Sequence, residues 1–142
     1  MNYEQFYFQM KMLKNLKQGR KEIEKTIEEL YDRAGVKGVR YDLETIASSN
    51  SASKLIDLSD QLREPQYQLD YMNNAIKVIE PIVNANLKKL PNDIRDAVKL
   101  VIWEGKTYHE VGCLMGYSDH GMWSKIRREI DKIWNIEKSY IH

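Results

Sequence analysis

The 142-residue chain has one cysteine, Cys113, three prolines and seven glycines. A single thiol excludes an internal disulfide framework and a multi-cysteine metal site, and it points to a reducing compartment. So little proline and glycine favours long helices over a loop-rich fold. No apolar run approaches the roughly 18–20 residues of a transmembrane helix. The opening Met1-Asn2-Tyr3-Glu4-Gln5 has neither the basic nor the apolar region of a signal peptide. Excess charge is missing too: 22 basic and 21 acidic residues leave +1, so there is no whole-chain basic footprint. With 42% hydrophobic and 30% charged residues the composition is that of a foldable, soluble chain.

Catalytic patterns are also missing. The three histidines, His109, His120 and His142, show no metal-ligand spacing, and there is no glycine-rich phosphate loop. Carboxylates sit among lysines, as in Lys21-Glu22-Ile23-Glu24-Lys25, where they support surface helix. Cys113 reads as a small packing residue. Neither an enzyme activity, nor a cofactor, nor a metal site is expected.

What is present is heptad periodicity. Leu13, Leu16, Arg20, Ile23, Ile27, Leu30 and Ala34 follow a 3,4 spacing, with Tyr3, Phe6, Tyr7 and Met10 upstream in a looser phase and Gly19 off the seam. After a loop at about 35–52, Leu55, Leu58, Leu62, Pro65, Leu69, Met72, Ile76, Ile79 and Val83 repeat the pattern. Pro65 predicts a kink or a new helix start, and Pro81 a second bend. The two segments can pair within one chain or between chains, since a heptad specifies a helical partner without saying whose. Leu13, Leu16, Ile23, Ile27, Leu30, Leu55, Leu58, Leu62, Leu69, Met72 and Ile76 are the candidate oligomerisation residues.

From Leu90 the pattern shortens. Leu90-Pro91-Asn92-Asp93 reads as a helix start, and Ile94, Ala97, Val98, Val101 and Ile102 as its buried face, ended by Glu104-Gly105-Lys106. Thr107-Tyr108-His109-Glu110 is a capping box, in which the Thr hydroxyl takes the Glu110 amide and the carboxylate reaches back to the Thr amide. The short helix it starts stops at Gly116. Ser118 caps the last helix, whose apolar face is Met122, Ile126, Ile130 and Ile133. Gly112 is small where two helices cross, Gly116 tolerates positive φ, and Met115, Met122 and Ile126 are apolar anchors, which together meet the requirements of a helix-turn-helix.

The stretch Leu90-Pro91, Arg95, Leu100, Glu104 to Gly112 and Gly116-Tyr117-Ser118 resembles region four of bacterial sigma factors. Gly38-Val39-Arg40-Tyr41-Asp42, the Ser-rich loop and Leu55-Ile56-Asp57-Leu58 resemble phage and prophage regulators of the ArpU and RinA type. The resemblance implies an all-α chain. A heptad-rich helical oligomerisation or interaction region (1–89) precedes a sigma-like helix-turn-helix (90–142). It implies a phage or prophage transcriptional regulator, an activator of late genes, acting in the bacterial host cytoplasm on double-stranded DNA. Partners would be a second copy and RNA polymerase, with no membrane.

Carried over by position, Asp119, His120, Trp123 and Ser124 would face the major groove. Asp119 and Trp123 stand where sigma factors often have arginine, so the usual sigma promoter element is not expected to be read. Lys125, Arg127, Arg128 and Lys132 are candidate phosphate contacts, and Lys106, Thr107 and Ser118 could meet backbone at helix starts. Two other readings stand beside this one. The first is a helical adaptor or anti-sigma-like module without DNA contact. The second is a small-terminase-like subunit, whose usual order places the helix-turn-helix first. Residues 90–142 hold eight basic and eight acidic side chains, so DNA affinity must come from charge placement or from multiple copies.

Overall fold

The structure, a computed structural model, describes residues 2–35 and 52–141, with side chains at 2–35 and 57–133. Most of the expected 35–52 loop, the Gly38–Asp42 motif and the Leu55 side chain lie outside the described residues. Among the described residues there is no strand. The helices are α1 (Tyr3–Arg33), α2 (Ala52–Lys88), α3 (Asn92–Val98, continued by a π-helical turn Lys99–Trp103), α4 (Tyr108–Met115) and α5 (Asp119–Ile141). None of them is long and apolar enough to cross a membrane.

The chain divides into two compact units. One is Leu16–Ile76, and the other joins Met1–Asn15 to Lys77–His142. The expected boundary at 89/90 falls inside the second of these. The cause lies in the first three turns of α1, where Tyr3, Phe6, Met10 and Leu13 are buried. Their 3,4,3 spacing is regular; Phe6 and Leu13 keep the phase of the seam that continues from Leu16, whereas Tyr3 and Met10 are offset from it by one residue. Both offset residues lie before the Asn15/Leu16 division.

In the Leu16–Ile76 unit the two seams meet within the chain. Ile27 packs with Leu58 and Leu62, and Ile23, Leu30, Tyr31, Ala34 and Leu69 flank them. Arg20, the polar seam member, donates to the Asn73 side-chain oxygen at 3.4 Å. Gly19 proves not to be idle, because a Cβ there would lie 2.9 Å from the Met72 methyl.

Helix α2 runs unbroken through Pro65 and Pro81, so of the two outcomes expected at Pro65 a new helix start is not the one found. Each proline frees one carbonyl a turn earlier, at Gln61 and at Lys77, and both of those residues are exposed, so water can take the freed oxygens. The 7-residue spacing of the buried or half-buried Leu62, Leu69, Ile76 and Val83 carries across both prolines.

In the other unit Ile94, Ala97, Val98, Ile102, Val111, Met122, Ile126 and Ile130 are buried beside Val83, Leu87 and Leu90. Arg95 closes the end of α2 by donating to the carbonyls of Leu87 (2.9 Å), Leu90 (3.1 Å) and Lys88 (3.3 Å). Leu87 and Lys88 stand in the last turn of α2, whose carbonyls the helix itself leaves without intrahelical partners. The π turn after α3 was not foreseen. Its register gives Glu104 N–H to Lys99 O at 3.1 Å, and the Trp103 indole N–H donates to Met10 O at 3.1 Å.

Candidate nucleic-acid interface

Local chemistry builds the α4–turn–α5 segment. The Thr107 hydroxyl accepts from the Glu110 amide at 3.1 Å and starts α4. The reciprocal bond differs from expectation: the Glu110 carboxylate accepts from the Thr107 hydroxyl (3.2 Å) instead of the Thr107 amide. Gly116 ends α4 at φ 82°, and its amide donates to Gly112 O. The Tyr117 amide donates to the same oxygen at 2.8 Å. Ser118 Oγ accepts from the Gly121 amide at 3.0 Å and starts α5. Three residues therefore turn the chain between two capped helices, and buried Val111, Met122 and Ile126 supply apolar anchors on both sides.

The outward residues at the start of α5 are already engaged with one another. The Asp119 carboxylate accepts from His109 Nδ1 at 2.9 Å, tying α5 to α4. His109 Nε2 lies 3.7 Å from Cys113 Sγ. Cys113 is exposed, contrary to the packing role expected of it. The His120 ring stacks on Trp123, with centroids 5.7 Å apart, and its Nε2 is 3.4 Å from Ser124 Oγ. Trp123 keeps 38% of its surface exposed.

The basic cluster divides. Glu129, with a side chain only 12% exposed, accepts from Lys125 at 3.1 Å and Lys132 at 3.2 Å. These bonds, Lys125 foremost, hold its carboxyl below the usual range against the opposing effect of burial. Two of the candidate phosphate contacts are therefore partly neutralised within the chain. Arg128 is exposed. Arg127 lies over the Trp123 and Tyr3 rings, 4.8 Å from each centroid. At the start of α4, Lys106 sits 3.9 Å from Glu110, an exposed pair of little energetic weight.

Tyr3, Tyr108, His109 and Glu129 were not among the sequence candidates. Tyr3 is buried, and its hydroxyl shares a 2.8 Å hydrogen bond with that of Tyr108. Burial first, then that bond, push its phenol well above the usual tyrosine value. Glu129 was legible in principle, because it stands four residues after Lys125 and three before Lys132. Tyr3 carried no local signal beyond its apolar phase.

The seam candidates lie elsewhere. Leu13 is buried in the same unit as α4 and α5, whereas Leu16, Ile23, Ile27, Leu30, Leu58, Leu62, Leu69, Met72 and Ile76 belong to the other unit.

Comparison of the chain with protein-family models, with curated proteins and with solved structures finds no match.

Proposed function

We propose that the chain is a sequence-specific DNA-binding transcriptional regulator, of the phage late-gene activator kind, that inserts the start of α5 in the major groove. It is read as a binder and not as an enzyme, working in the host cytoplasm. The observation that carries the reading is the α4–turn–α5 geometry. Two capped helices meet through a left-handed Gly116, and the second exposes His120, Trp123 and Arg128. A recognition helix of this kind contacts bases with its N-terminal residues.

The test is binding of the full chain to phage and host DNA fragments across a salt series. Specific binding whose logarithm falls linearly with log salt is expected, and Arg128→Ala should lower that slope by about 1. Binding no better than background at low salt would rule the reading out. The adaptor reading is favoured by one observation: Asp119 is hydrogen-bonded to His109, and Lys125 and Lys132 pair with Glu129, all within the chain. It predicts no salt-dependent DNA binding.

Dimerisation belongs to the same proposal, because one small helix-turn-helix makes a modest interface. The seam core of Ile27, Leu58 and Leu62 is filled from within the chain. Tyr67 and Tyr71, one turn apart on α2 and 69% and 66% exposed, offer one exposed apolar surface for a second copy. Sedimentation equilibrium should show a dimer that Tyr71→Glu shifts toward monomer. An unchanged dimer would place the contact elsewhere.

A further inference from the structure

A column of stacked side chains joins the start of α5 to the first turn of α1. His120 lies against Trp123, Arg127 lies over Trp123, and the same guanidinium lies over Tyr3. His120 is one turn before Trp123 and Arg127 one turn after it. Both neighbours lie against the indole, so part of its ring surface is taken within the chain, while 38% of the residue stays exposed for a partner. Tyr3, the second ring against Arg127, is itself fixed by burial and by the hydroxyl of Tyr108.

A planar guanidinium suits this place better than an ammonium. It stacks on aromatic faces, is weakly hydrated and cannot lose its charge. Held against two rings, it is turned away from the role of a point charge for phosphate.

Resting on the DNA-binding reading above, we infer that Arg127 is a positioning residue for base recognition by Trp123, and that Tyr3 is the group that holds it there. The only polar group of Trp123 is its indole N–H, a donor, so it suits the acceptor atoms that purines and thymine show in the major groove. The first turn of α1 thus sets sequence preference although it need touch no DNA.

Selection of sites from a randomised duplex pool, with salt slopes for the selected sites, separates this role from a phosphate contact. The full chain and its Arg127→Ala, Arg127→Lys, Tyr3→Phe and Arg128→Ala variants are compared. Arg127→Ala should change the selected bases and leave the salt slope unaltered. Arg128→Ala should do the reverse. Arg127→Lys keeps the charge and should fail to restore the preference. Tyr3→Phe keeps the ring and should retain it.

A slope lowered by about 1 in Arg127→Ala, with the selected bases unchanged and rescue by lysine, would overturn the inference. A second readout needs no DNA. The Trp123 indole N–H resonance, identified by its loss in Trp123→Phe, should move in Arg127→Ala while that of Trp103 stays. If it does not move, Arg127 does not cover Trp123. If it moves but the wild type binds no DNA, the regulator reading is what has failed, and the readout role goes with it.

Discussion

Replacing Gly112 by alanine is expected to cost about 2–3 kcal/mol of stability, a large loss for one methyl group. The added Cβ would stand 2.5 Å from Tyr117 O and 3.3 Å from Ser118 O and Tyr117 C. All three are backbone atoms of the turn, so no side chain can rotate out of the way. Relief requires the turn to move. That movement strains the Tyr117 and Gly116 amide bonds to Gly112 O and draws Ser118 away from the start of α5. Alanine's better helix propensity returns at most about 1 kcal/mol. Gly116→Ala makes a useful contrast, because its Cβ meets nothing within 4 Å and only its φ of 82° is strained. It should lose about 1–2 kcal/mol. Urea unfolding of both variants, followed by circular dichroism, checks the order. Equal losses would mean that the close approach at Gly112 is relieved at little cost.

Gly112 also marks how far a sequence carries a structure. Thr107, Gly116 and Ser118 were legible because each acts on backbone within three or four residues. Gly112 was legible as a position demanding a small side chain, yet the object it must clear is the carbonyl of Tyr117 and not a crossing helix. The face formed by Tyr3, Phe6, Met10 and Leu13 was visible, but Phe6 and Leu13 share the phase of the main seam, which disguised its separate destination. The π turn was hidden because Val98, Val101 and Ile102 suit an ordinary helix equally well, and its indole bond reaches 93 residues back to Met10. The division of the basic cluster was hidden for a related reason. Four cations on one helix look alike in a sequence, and only the placement of Glu129 and Tyr3 distinguishes Lys125 and Lys132, Arg127 and Arg128.

A fragment of residues 90–142, the unit the sequence alone would excise, is expected not to fold cooperatively. It keeps Ile94, Ala97, Val98, Ile102, Val111, Met122, Ile126 and Ile130, but it lacks Tyr3, Phe6, Met10, Leu13, Val83 and Leu87, which complete the same unit's core. Burying a large apolar side chain contributes roughly 1.5–3 kcal/mol. Six of them amount to about 10 kcal/mol or more, comparable with the roughly 5–15 kcal/mol by which domains are stable at all. The fragment also loses the Met10 carbonyl that accepts from Trp103 and the α2 carbonyls at Leu87 and Lys88 that Arg95 closes. In the full chain the same argument predicts that Met10→Ala, at a fully buried position, costs about 2–5 kcal/mol. Thermal unfolding of the fragment beside the full chain decides the matter. A cooperative transition in the fragment at a melting temperature near that of the full chain would show that α1 is dispensable to the α4–turn–α5 segment. A broad, non-cooperative profile, with Met10→Ala lowering the melting temperature of the full chain, would make the first three turns of α1 part of the folded unit that holds that segment.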